Sequence, residues 1–174
     1  KGFSLGAELY QQVRPSYPQE IVVWLQDRLQ IGKSSTVVDL GAGTGKFLPS
    51  LIQTQAKVIA VEPVTEMLQQ LQQTYPTVDC LQAFSSELPF VNASIDAILC
   101  AQSFHWFANI ETLTEIHRVL TASGHLGLIW NQRDTRVDWV KALADAIAPL
   151  EGNTPRYHSE LWKQVFENQT LFKL

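Results

Sequence analysis

Two carboxylates and three glycines carry the spacing in this chain that could do chemistry. Gly41, Gly43 and Gly45 follow directly on Val37-Val38-Asp39-Leu40, a short apolar run interrupted by one acid. Such a run reads as a buried parallel strand. Residues without a Cβ allow a tight turn and let a ligand approach the main chain closely. Lys46-Phe47-Leu48 begins a helix-like stretch, whose N–H groups would point back at the turn. Strand, glycine turn and helix start predict a nucleotide-type site at the carboxyl end of a sheet strand.

Glu62 is the second carboxylate. It closes the apolar run Lys57-Val58-Ile59-Ala60-Val61, seventeen residues after Gly45. An ionised carboxylate at a strand end offers two acceptor oxygens to the hydroxyls of a ribose. The turn itself has the form G-x-G-x-G. A dinucleotide fingerprint places its third glycine where Lys46 stands, and a triphosphate loop needs Ser or Thr where Phe47 stands. These departures, with Asp39 inside the strand, count against a nicotinamide-dependent oxidoreductase.

A second cluster follows the apolar stretch 94–102. Ser103-Phe104-His105-Trp106-Phe107 places an imidazole and three aromatics just past a strand. Ligands bind beyond the carboxyl ends of strands in open α/β sheets. His105 could serve there as a general base near neutral pH or simply line the site. Arg133 follows the last apolar strand on the same rim, where it could meet an anionic group or stay solvated.

The elements that must position these groups alternate along the chain. Ile21, Trp24, Leu25 and Leu29 recur on one helical face between Pro18 and Gly32. Strands are expected at 36–40, 57–62, 78–82, 94–102 and 125–130, with a helix over 45–54. Asp96 at the start of the fourth strand reads as structural, bonding local backbone. Asn109 reads as a helix cap. Leu113, Ile116 and Leu120 form a stripe beside which His117 lies, and Ser123-Gly124 should break that helix. Thr135-x-x-Asp138 resembles a capping box. It leads a helix that stops at Pro149. Trp162, Val165 and Phe166 share a later helix face, and 171–174 looks like the opening of another strand. The alternation predicts a doubly wound α/β sheet with right-handed crossovers.

Composition narrows the function classes. The chain has 174 residues, 45% hydrophobic and 17% charged, with net charge -4. One domain with a sizeable core fits this length. We divide it into an entry segment and helix at 1–35, a binding core at 36–131 and a helical part at 132–174. No Lys/Arg cluster forms a basic stripe, so nucleic-acid binding has no electrostatic support. Cys80 and Cys100 lie in apolar runs and read as buried free thiols, with no metal-ligand spacing. No run approaches the ~18 apolar residues of a membrane span, and no secretory leader is read. A cytoplasmic enzyme is expected. The chain begins at Lys1 rather than Met, which suggests an incomplete gene product.

The strand-turn-helix with Asp39 and Glu62 resembles the class I S-adenosylmethionine-dependent methyltransferases. The strings Tyr10-x-x-x-Arg14-Pro-x-Tyr17-Pro and Ala-Gln-Ser-Phe-His-Trp-Phe at 101–107 resemble their type 11, small-molecule branch. The resemblance spans about residues 10–170 and implies S-adenosyl-L-methionine as cofactor. It implies sheet order 3-2-1-4-5 with a carboxyl-terminal hairpin, for which residues past Leu174 would be needed. Asp39 and the backbone of Gly41, Ala42, Gly43 and Gly45 would hold the cofactor's amino acid part. Glu62 would hold its ribose, and Pro63, Met67, Phe84 and Ser85 would flank adenine. Ala101 and Gln102 would complete the cofactor set. Tyr10, Arg14, Tyr17, His105, Trp106 and Arg133 would face a small-molecule acceptor, methylated on oxygen or carbon. Phe84 and Ser86 replace an Asp and a Glu common in the family loop. That keeps open a second reading, a non-catalytic or degenerate cofactor-binding domain.

Overall fold

The computed structural model describes residues 16–150, 152 and 154–173. Tyr10 and Arg14 lie outside them. Five strands form one sheet: β1 (Thr36–Leu40), β2 (Lys57–Val61), β3 (Asp79–Leu81), β4 (Ile95–Ala101) and β5 (Leu120–Ile129). They are parallel throughout, in the order β3-β2-β1-β4-β5. The expected sheet and its strand order are therefore present. The helices are α1 (Glu20–Leu29), α2 (Leu48–Gln53), α3 (Thr65–Thr74), α4 (Ile110–Val119) and α5 (Asp138–Ile147).

Alternation of side chains along β1 divides the core in two. Val37 joins Leu25, Phe47, Leu48, Leu51 and Leu71 on one face. Val38 joins Ile98, Phe104, Leu113, Ile116 and Trp162 on the other. This is the period of two that a strand imposes, with both faces covered as in a doubly wound sheet. Asp96 does not serve its own neighbourhood. Its Oδ2 accepts the Thr36 N–H at 2.8 Å, so it ties the entry of β4 to that of β1 across 60 residues.

Several local expectations are corrected. The helix after the glycine turn begins at Leu48 rather than 45, because residues 41–47 are spent in turns. Helix α4 ends at Val119, and Leu120 is already extended (ψ 141°). Ser123 and Gly124 therefore lie within β5 rather than at a helix end. There Ile95 faces Leu120 and Ala97 faces His125, so β5 bulges against β4. No capping box forms at 135–138. The cap residue is Val137, with no side-chain bond, and Asp134 is taken by Arg136 at 2.8 Å. Trp162, Val165 and Phe166 do pack on the core, from a 3-10 helix over Leu161–Phe166. Residues 171–173 form no strand. The Gln169 side chain, bonded to the Phe172 backbone, turns that segment back on itself.

Candidate functional site

The glycine turn is built from β1 and fastened to β2. Gly41 and Ala42 donate their N–H groups to the Val61 carbonyl at 2.8 and 3.1 Å. Gly43 donates to Glu62 Oε2 at 2.8 Å, and Val64 donates to Glu62 Oε1 at 2.9 Å. Glu62 is thus the bracket that holds the turn. Each carboxylate oxygen keeps a second lone pair for a ligand hydroxyl.

Gly41 is required on two counts. Its φ is +71°, and a Cβ would stand 2.7 Å from Ser103 Cβ. Ser103 is held there by donating its hydroxyl to the Leu40 carbonyl at 2.7 Å. At Gly43 the situation differs. Its φ is +59°, and a Cβ would meet only Met67 Sδ, at 3.9 Å. The main chain is open at Gly43, where a ligand can lie against it, and buried Met67 stands beside that opening.

Asp39 sits at 1% exposure, and neither carboxylate oxygen has a hydrogen-bond partner. Burial, then the nearby Glu62 charge, pushes its carboxyl up to about 8. Glu62 is also raised by burial, against which the Val64 and Gly43 N–H bonds act. A buried carboxylate without a partner is costly unless a cation completes it. The ammonium of an amino acid is such a cation. The residues present therefore fit S-adenosyl-L-methionine: Asp39 for its ammonium, the Gly43 opening for its backbone, Glu62 for its ribose.

Beyond the turn lies a cavity of about 210 Å³, lined by Gly41, Pro63, Ala83, Phe84, Ser85, Trp106 and Phe107 among others. Phe84 is 71% exposed on its rim. Its loop is fixed from α4. Ser85 Oγ pairs with Thr112 Oγ1 at 2.8 Å. Glu115 accepts the Leu88 N–H at 2.7 Å and holds Arg118, which donates to the Leu88 and Phe90 carbonyls. Asn109 caps α4 as expected, Oδ1 accepting the Thr112 N–H at 2.8 Å.

At the neighbouring rim, Gln102 adopts φ +60° and donates its side-chain N–H to the Asn131 carbonyl at 3.0 Å. Ala101 ends β4 beside Ile129. His105 stands 5.2 Å from the Trp106 ring, and its Nδ1 accepts the Trp130 indole N–H at 3.1 Å. Arg133 is exposed three residues beyond Trp130. Tyr17 packs edge-on to Phe47, 4.8 Å away, on the Val37 face. The structure thus gathers Asp39, the glycines, Glu62, Pro63, Met67, Phe84 and Ser85 around one turn and cavity. It places His105 and Trp106 beside them, and Tyr17 on the other face of the sheet.

Three positioning groups escaped the sequence reading. Ser103 and Thr112 carry no pattern that singles them out. Trp130 had one usable signal: an indole N–H at the end of an apolar strand needs an acceptor. Among the described residues no group of His, Cys, Asp or Glu is arranged to hold a metal, and no helix is long and apolar enough to cross a membrane.

Comparison with known proteins gives the same direction. The family profile "Methyltransferase domain" matches residues 38–128. An uncharacterized methyltransferase-like protein of Schizosaccharomyces pombe is 39% identical over 175 residues, covering 100% of this chain and 68% of that protein. A trans-aconitate 2-methyltransferase of Azoarcus is 30% identical over 164 residues, covering 80% of this chain and 64% of that protein. A solved SAM-dependent methyltransferase of Aquifex aeolicus superposes with TM-score 0.61 at 20% identity. It covers 82% of this chain and 86% of that one, a likeness of fold alone.

Proposed function

This chain belongs to the S-adenosylmethionine-dependent methyltransferases, and we propose that it moves the sulfonium methyl to an oxygen or carbon of a small-molecule acceptor. The observation that carries the reading is the partnerless, buried Asp39 beside an open Gly43 and a Glu62 that brackets the turn. In this reading Asp39 receives the ammonium, Glu62 the ribose hydroxyls, and Phe84, Pro63 and Met67 the adenine. His105 and Trp106 shape the acceptor side, while Phe104 is buried in the core beneath them. When bound, the cofactor supplies an intrinsically reactive methyl. The protein's task is to hold nucleophile, carbon and sulfur in line and to keep water out.

The small scale of the acceptor is supported by the name of the Azoarcus relative. A cytoplasmic setting is part of the proposal, supported by the free thiols of Cys80 and Cys100. The test is an acceptor screen with labelled S-adenosylmethionine, read by mass spectrometry. Methylated small molecules are expected. Transfer only to protein or nucleic acid would overturn the acceptor class. Binding of the cofactor with no transfer to any acceptor would favour a degenerate domain.

A further inference from the structure

Between β3 and β4 the chain runs through 82–94 with neither helix nor strand, and Phe84 stands on that stretch. An exposed ring takes its direction from the backbone that carries it. That backbone has no ladder of its own, so side chains must hold it. Helix α4 supplies them in a slanted row, Thr112, Glu115 and Arg118, three residues apart and so neighbours on the helix surface. Thr112, fully buried, pairs with Ser85. Glu115 accepts the Leu88 N–H at 2.7 Å. Arg118 donates Nε and Nη2 to the two oxygens of Glu115, at 2.7 and 2.6 Å. The same guanidinium donates to the carbonyls of Leu88 at 3.1 Å and Phe90 at 2.8 Å, and to Asn92 Oδ1 at 2.8 Å. Its planar fork can span these acceptors together, which an ammonium on a flexible stem cannot. The Arg118 bond holds the Glu115 carboxyl below its ordinary range, so the pair stays charged near neutral pH. At the entry to the loop, Gln82 donates to the Pro63 carbonyl at 3.0 Å and to Thr65 Oγ1 at 2.8 Å. The two cavity walls, Pro63 and Ala83–Ser85, are thereby tied to each other.

We infer that Glu115 and Arg118, neither of which lines the cavity, are positioning residues for the cofactor: their clamp on 88–92, with the Thr112–Ser85 contact, sets Phe84 where it stacks on adenine. The inference rests on the adenine reading above. Leu88 is itself sunk in the core, so the clamp also gives its N–H and carbonyl their partners. What separates positioning from that service is the effect on a ligand. The bonds of the clamp end on the main chain of the loop that carries Phe84, four residues before Leu88. A loop released from them has to be ordered again when the ligand arrives, and that ordering weakens affinity. A pair serving the core alone would change stability and leave the affinity of the folded protein as it was.

Two measurements test this. The first is amide hydrogen exchange of the ligand-free protein, read by mass spectrometry. In Arg118→Ala the peptides covering 83–92 should exchange about tenfold faster, while those of β1 and β2 keep the wild-type rate. Unchanged exchange over 83–92 overturns the inference. The second is titration with S-adenosylhomocysteine, at a temperature where each variant keeps the tryptophan fluorescence of the folded wild type. Arg118→Ala and Phe84→Ala should each bind about tenfold more weakly. The double variant should lose no more than about threefold beyond either, because both changes remove the same stacking. Wild-type affinity in Arg118→Ala overturns the inference, and so does an additive loss of about a hundredfold in the double variant. Should Arg118→Ala fail to fold, Arg118→Lys keeps the charge without the fork and is read in the same way. It should bind about threefold more weakly, and wild-type affinity counts against the inference again. No binding by the wild type would refute the adenine reading itself, whereas wild-type binding undisturbed in the variants refutes the clamp alone.

Discussion

Replacing Asp39 by Asn should make the ligand-free protein more stable at alkaline pH and a poorer binder. The carboxyl is buried, has no partner, and ionises at about 8 rather than its ordinary 3.8, because of burial and then Glu62. Ionising it in the folded protein therefore costs about 6 kcal/mol more than in the unfolded chain. The folded state holds a proton that the unfolded chain has already released throughout that window. Stability must fall as pH rises from about 4 to about 8, with about 4 kcal/mol of the loss between pH 5 and pH 8. Asparagine keeps the shape and removes the charge, but its amide is left without a partner, a cost of about 1–3 kcal/mol. At pH 8 the net gain is about 3 kcal/mol, or roughly 6–12 °C in Tm for a chain of this size. At pH 5 the two proteins should lie within about 1 kcal/mol of each other. Urea unfolding followed by tryptophan fluorescence across this range is the assay. The variant should retain only the gentler slope that Glu62 contributes. Parallel pH profiles for the two proteins, or a variant less stable at pH 8, would refute the reasoning.

Other predictions follow from the same geometry. If the cofactor ammonium pairs with ionised Asp39, binding at pH 7 should release about one proton. Calorimetry in buffers of different ionisation heat should show this for the wild type and lose it in Asp39→Asn. Gly41→Ala forces a left-handed backbone on a residue whose Cβ would lie 2.7 Å from Ser103 Cβ. It should lower stability by about 2–4 kcal/mol in chemical denaturation. Phe84→Ala removes a ring that is 71% exposed. Its Tm should stay within about 1 °C, while S-adenosylmethionine affinity falls about tenfold through lost stacking on adenine.

Much of this was legible in the sequence, for physical reasons that differ by residue. Runs such as Val37–Leu40 and Ile95–Ala101 are buried on both faces, so their composition alone marks parallel strands. The glycine turn was legible because Gly41 tolerates no side chain. What escaped was set by contacts distant in sequence. Asp96 bonds Thr36, and Ser103 bonds Leu40; no local pattern encodes either. Glu62 showed its ligand-facing chemistry but not its service to Gly43 and Val64. The Ser123-Gly124 pair looked like a helix stop. The helix had already ended at Val119, and glycine there lies in the irregular part of β5, where a Cβ would stand 3.0 Å from the Leu120 side chain and the Thr121 carbonyl. Trp130 read as one more strand residue, because its partner is an imidazole 25 residues away.

The central claim is that the Asp39–Glu62 turn binds S-adenosylmethionine through its ammonium and ribose. Isothermal titration of the wild type and Asp39→Asn with S-adenosylmethionine, S-adenosylhomocysteine and NADH tests it most directly. Micromolar binding of the first two is expected, none of NADH, and affinity about a hundredfold weaker in the variant through the loss of a buried charged hydrogen bond. Equal affinity in both proteins, or binding of NADH alone, would contradict it.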